Sequence, residues 1–193
     1  ICEILWEPLP LGRLAPIAHL VTLTCQGADP KAVANGFLNR LRQFCHKQHK
    51  WLWKKSTRTS VLKISGTRPH RRLDAAQRAI VLEALHQSCE RHGWILYSAH
   101  VRPAHLHAVI GAPDSRSHIL SVFKSETARA LKNQGQCVKS PWSQGGNVLP
   151  LWNAVGFAAA VEYILEEQGR PMALHIAPET PWERLTAPSA AIL

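Results

Sequence analysis

The stretch SAHVRPAHLHAVIGAP, residues 98–113, decides how the chain is read. Short apolar runs bounded by proline and glycine read as strands. WILYSAHV and AHLHAVIGA therefore form two strands that meet in a tight hairpin at Arg102 and Pro103. Strand side chains repeat every second residue, so His105 and His107 share one face while Leu106 takes the other. Two neighbouring imidazoles are a candidate metal site. Among 11 histidines, however, roughly one His-x-His is expected by chance, and a pair of surface or hydrogen-bonded histidines is the plainer reading. A reactive site also needs a third donor, a group to activate and a reason for substrate to approach.

Working outward, APIAHLVTLTCQG alternates Val21, Leu23 and Cys25 against Leu20, Thr22 and Thr24, which predicts a first strand. A helix follows, opened by Asp29 and Pro30 and carrying Val33, Phe37, Leu38 and Leu41. Residues 46–72 form a basic insertion containing Trp51 and Trp53; it is either a solvated loop or a phosphate-contacting surface with stacking platforms. LDAAQRAIVLEALHQSCERHG is a second helix, with Asp74 and Gln77 at capping-box spacing and Gly93 as its stop. SHILSVFKSETARALKN is a third, burying Leu120, Phe123 and Leu131 and leaving Lys124, Arg129 and Lys132 to reach solvent or phosphate. PWSQGGNVLPLW reads as a glycine-broken strand or loop, and NAVGFAAAVEYILEEQG as a final helix between Asn153 and Gly169. The Pro-rich residues 170–193 are expected to trail over the surface. This order predicts an α+β fold, an antiparallel sheet with helices packed on one face, ferredoxin-like or RNA-recognition-like.

Composition narrows the function. The chain has 193 residues, 46% of them hydrophobic, which suits one domain with a sizeable core, flanked by a 1–16 extension and the 170–193 tail. A formal charge of +10 favours polyanionic partners such as nucleic acid. The five cysteines are odd in number and never arranged as CxxC, which argues against a disulfide scaffold and a four-cysteine zinc site and fits a reducing cytoplasm. No apolar run approaches the length needed to cross a bilayer, so no membrane partner is expected.

The final helix supplies company for the histidines. Tyr163 is one of two tyrosines, and helical geometry places Glu167 about 40° from it in projection, but Gln168 about 140° away. A hydroxyl and a carboxylate thus share a face. Gly156, Ala159 and Ala160 either leave room for a substrate backbone or simply pack closely.

In their order, VRPAHLHAVIGAP, FKSETARAL, WSQGGNVLPLW and VEYILEEQG resemble the single-tyrosine transposases of the HUH endonuclease superfamily. These include the REP-associated tyrosine transposases and the transposases of minimal insertion sequences that move as single-stranded DNA. The resemblance runs from about His19 to Gly169, making 17–169 the catalytic domain. It implies that His105 and His107 bind a divalent ion, Mg2+ or Mn2+, and that Tyr163 is the nucleophile, forming a 5′-phosphotyrosine link. The family often places a Gln or Asn four residues after the tyrosine as a further ligand. Here that place holds Glu167, the favoured third ligand, with Gln168 as the alternative. The resemblance also implies a homodimer acting on hairpin-forming single-stranded DNA ends in the bacterial cytoplasm, associated with the nucleoid. Lys124, Arg129, Lys132, Trp51 and Trp53 are the candidate DNA contacts, and Lys124 a candidate for favouring the Tyr163 phenolate.

Three other readings stand beside this one. The chain is a non-catalytic or domesticated hairpin-binding module stacking bases on Trp51, Trp53 or Trp94. Alternatively, Cys45 with His49 and Cys89 with His92 hold zinc, or His86-Gln87-Ser88 belongs to a histidine-pair phosphoesterase; both fit poorly with helical patterns.

Overall fold

The structure, a computed structural model, describes residues 15–28, 71–136 and 139–178. The expected helix after Asp29, Trp51 and Trp53 with residues 46–70 of the insertion, residues 1–14, and the tail beyond 178 lie outside the described residues. The described elements are β1 (Ala18–Thr24), α1 (Ala75–His92), β2 (Ile95–Val101), β3 (His105–Gly111), α2 (Arg116–Asn133), β4 (Asn147–Leu151), α3 (Ala154–Glu166) and β5 (Ala173–Ile176). The strands form one sheet in the order β4-β1-β3-β2-β5, antiparallel throughout. This is the α+β architecture expected.

Local chemistry sets the element ends. Asp74 caps α1 by accepting from Gln77 N at 2.8 Å while Gln77 Oε1 accepts from Asp74 N at 3.2 Å, and Gly93 stops the helix in the left-handed region. Asn153 caps α3, accepting from Gly156 N at 2.8 Å. Pro150 sits within β4, which is tolerated because β4 is an edge strand and the missing N–H leaves no ladder bond broken inside the sheet.

β1 and β3 are buried on both faces. Val21, Leu23, Leu106, Ala108 and Ile110 pack under α1 and α2, against Leu85 and Phe123. The expectation of helices on one face holds for this pair. α3 lies on the other face, where Ala18, Leu20, Tyr97 and Val109 meet Phe157, Ala160 and Ile164. Apolar side chains on both faces of the central strands require cover on both, at about 25 cal/mol for each Å² removed from water. Covered on both faces, β1 and β3 offer no open surface for base stacking. Trp94 is buried too, its Nε1 donating to Asp114 Oδ2 at 2.7 Å.

Two features depart from the sequence reading. The surface tail expected from residue 170 instead begins with β5, because the ALHI segment satisfies the otherwise unpaired edge of β2, from Ser98↔Ile176 to Val101↔Ala173. In β2, a bulge at Tyr97 shifts the register between Leu96 and Ser98. Leu96 pairs with Ile110 on the first face, whereas His100 pairs with His107 on the second. Without the extra residue Leu96, Ser98 and His100 would share a face. Among the described residues no helix is long and apolar enough to cross a membrane.

Candidate active site

The second face of the sheet has an apolar half under the start of α3 and a polar half at its C-terminal end. In the polar half, cross-strand pairing lines up Asn147, Thr22, His107 and His100 across four strands, with Thr24 opposite His105 one step along. The His105 and His107 rings stand 5.0 Å apart, as strand alternation requires.

His107 is fully buried, and its Nδ1 lies 2.9 Å from Thr22 Oγ1. Its Nε2 has no hydrogen-bond partner among the described residues. The tautomer in which Nδ1–H donates to Thr22 leaves a lone pair at Nε2, whereas the other would bury an unpaired N–H. Burial, and then the neighbouring His105 and His100, push the His107 pKa down to about 3. His105 is half-buried; burial lowers its pKa, its bond to Gln168 works the other way, and Arg102 lowers it again. Both imidazoles are therefore neutral at neutral pH and available as ligands or bases.

Tyr163 lies in the last turn of α3, its ring 5.4 Å from that of His107 and inclined at 72°. Burial raises its pKa, a hydrogen bond with Gln168 lowers it, and the Glu167 charge raises it. The resting side chain is a phenol. α3 ends at Glu166; Glu167 N–H still donates to Tyr163 O at 3.3 Å, and Gly169 then turns the chain at φ 71°. The helical projection consequently stops applying before residue 168. Gln168 folds back, its Oε1 3.1 Å from His105 Nε2, and joins His105 to the tyrosine hydroxyl.

Of the residues singled out in the sequence, the structure thus assembles His105, His107, Tyr163 and Gln168. Glu167 is exposed, and among the described residues no three His, Cys, Asp or Glu side chains group in a way that could hold a metal. The side chain that stands beside the His105 imidazole is the Gln168 amide. α2, with Lys124, Arg129 and Lys132, packs on the opposite face. There Lys124 Nζ donates to Ser143 O at 2.8 Å and Gln144 O at 2.7 Å, bracing the loop before β4, and burial lowers its pKa. Arg129 pairs with Glu126, and Lys132 is exposed. Ala159 and Ala160 pack against the sheet, which favours the close-packing reading of that pattern.

Of the remaining pairs, Cys89 is buried with its thiol pushed up to about 12, chiefly by burial. Cys45 and His49 lie outside the described residues. Ser88 Oγ donates to Ala84 O at 2.6 Å within α1.

Thr22 and His100 also stand on this face, and no motif in the sequence marks either. The hairpin centred on Arg102 and Pro103 pairs His100 with His107 and so sets its face, while the bulge at Tyr97, farther along β2, returns Leu96 to the first face. An orphaned Nε2, a neutral imidazole and an amide oxygen near it form a donor set suited to a divalent ion such as Mn2+.

The chain matches no family model, and no curated protein matches it. Among solved structures it is similar to a REP-associated tyrosine transposase bound to a REP hairpin, with 11% sequence identity and a TM-score of 0.44 over 82% of this chain and 70% of that one. A likeness of that degree carries no argument about function, which rests on the residues themselves.

Proposed function

We propose that the chain is a single-stranded-DNA endonuclease and strand transferase of the tyrosine-transposase kind, with Tyr163 as nucleophile. The observation that carries this reading is the constellation in which Gln168 joins the Tyr163 hydroxyl to His105 while the neighbouring His107 keeps an unpartnered Nε2. His105 Nε2, His107 Nε2 and Gln168 Oε1 would hold Mg2+ or Mn2+, which when bound polarises a phosphate and offsets charge on its oxygens.

The remaining chemistry belongs to the chain. Thr22 fixes the His107 tautomer, and Gln168 orients the phenol by a hydrogen bond. In the attack, Tyr163 Oη forms a bond to phosphorus and gives up its proton to solvent. The phosphorus–O3′ bond breaks, and the departing 3′ oxygen takes up a proton. The 5′-phosphotyrosine ester keeps the energy of the phosphodiester, so a 3′-hydroxyl can reverse the step and join strands without ATP. A formal charge of +10 supports a polyanionic substrate. The reading carries with it hairpin-forming DNA ends as partner, a homodimer and a bacterial cytoplasmic setting.

One observation favours a second reading, a hairpin-binding protein without catalysis: Tyr163 is only 6% exposed and His107 is fully buried. Covalent capture separates the two. Single-stranded hairpin oligonucleotides from the gene's own flanks, labelled at the 3′ end, should leave label on the protein in denaturing gels with Mn2+ and not with EDTA. Label at the 5′ end should be released. Absence of any adduct, or an adduct that persists in Tyr163→Phe, overturns the catalytic reading.

A further inference from the structure

His100 is fully buried on β2, and the chemistry above gives it no part. Its Nδ1 lies 3.2 Å from Ile164 O, and Met172 N–H donates to its Nε2 at 3.2 Å. A carbonyl only accepts and an amide N–H only donates, so the tautomer is determined: Nδ1–H is the donor, Nε2 the acceptor, and the ring is neutral. The two backbone groups bracket residues 165–171, whose central residue is Gln168. The segment leaves the helix and re-enters the sheet at one imidazole.

The bond to Ile164 has a particular consequence. A helix leaves its last four carbonyls without intrahelical partners, and the Ile164 carbonyl is the one that the Gln168 N–H would use if α3 continued. Occupied by His100, that carbonyl is satisfied from the sheet, and the chain turns at Gly169 instead. Continued helix would carry Gln168 about 140° away from Tyr163. Two residues further along the chain, Arg102 Nη1 donates to Arg170 O at 2.6 Å and steadies the far side of the turn.

We propose that His100 is a positioning residue, pinning both ends of the turn so that Gln168 is presented to His105 and Tyr163. The catalytic relevance of Gln168 rests on the function proposed above; the clamp rests on the geometry alone. His100→Phe preserves ring volume and removes both hydrogen bonds, while His100→Asn keeps a donor at the Nδ1 position.

The clamp is tested on metal-free protein by amide hydrogen exchange, where His100→Phe and His100→Asn, neither of which keeps the Nε2 acceptor, should both speed exchange at Met172 at least about tenfold. Calorimetric titration with Mn2+ tests the positioning role. His100→Phe should weaken binding about tenfold, with His100→Asn restoring part of the loss, and should add nothing in a Gln168→Ala background. Unchanged Met172 protection, or an undiminished effect of His100→Phe without Gln168, overturns the proposal. Failure of wild-type protein to form a DNA adduct would instead overturn the catalytic reading and leave the exchange result standing.

Discussion

Tyr97 and Tyr163 point into the same buried cluster on the same sheet face and are 7% and 6% exposed, yet their neighbours differ in kind. Tyr97 meets Phe157 edge-on at 4.9 Å, in the apolar half. Tyr163 meets the His107 ring, with its hydroxyl on Gln168. Burial raises the pKa of both hydroxyls, so neither exposure nor acidity tells them apart. What separates them is a set of neutral, orientable donors within reach of one hydroxyl.

The largest expected effect breaks the symmetry of the two rings. Tyr163→Phe should reduce covalent DNA adduct by about a thousandfold or more, to background, because it deletes the attacking oxygen and keeps the ring. Tyr97→Phe should leave the adduct within about twofold. Denaturing gels with labelled oligonucleotide measure both, and a loss of adduct in Tyr97→Phe would reverse the assignment.

Stability should divide the other way. Phe157→Ala removes the ring that fills the apolar half and should cost about 3–5 kcal/mol in urea unfolding. Gln168→Ala, on a half-exposed turn, should cost under about 1 kcal/mol. Similar losses for the two would mean that the halves are not specialised, one for stability and the other for chemistry.

Metal affinity sharpens the polar half further. Mn2+ binding by calorimetry should fall about a hundredfold in His105→Ala or His107→Ala and about tenfold in Gln168→Ala, with little change in Glu167→Ala. A larger loss at Glu167 would restore the carboxylate that the helical projection favours.

The legible parts of this molecule are those set by local rules. Alternation in β1 and β3, the Asp74–Gln77 capping box, the Gly93 stop and the shared face of His105 and His107 all follow from side-chain period or cap chemistry. The bulge at Tyr97 does not, because it depends on how β2 meets β3 rather than on any residue in β2. The end of α3 at Glu166, short of the Gly169 stop that the sequence marks, has the same origin. Helical geometry holds only while the helix does, and His100, distant in sequence, takes the carbonyl that would extend it. Lys124 reads as a free cation on a helix until the loop before β4 folds over it. β5 is not legible because a four-residue strand followed by prolines has little pattern of its own, and its pairing is decided by the open edge of β2.

The smallest effect concerns pH, and it too should belong to one half. In metal-free protein the His107 pKa is pushed down to about 3, by burial first and then by His105 and His100. A folded value below the unfolded one means that the unfolded chain takes up a proton first as pH falls. The corresponding stability is fully present above about pH 6.5, the ordinary histidine value, and is lost as pH drops from there toward the folded value. One proton gives a slope of at most about 1.4 kcal/mol per pH unit. Urea midpoints measured from about pH 7.5 down to about pH 4.5 should therefore fall less steeply in His107→Gln than in wild type, by up to about one proton. Phe157→Leu, in the apolar half, should lower every midpoint and leave the slope unchanged. If His107→Gln and wild type lose stability in parallel, the buried imidazole is not the source of the acid sensitivity, and the polar half loses its distinguishing signature.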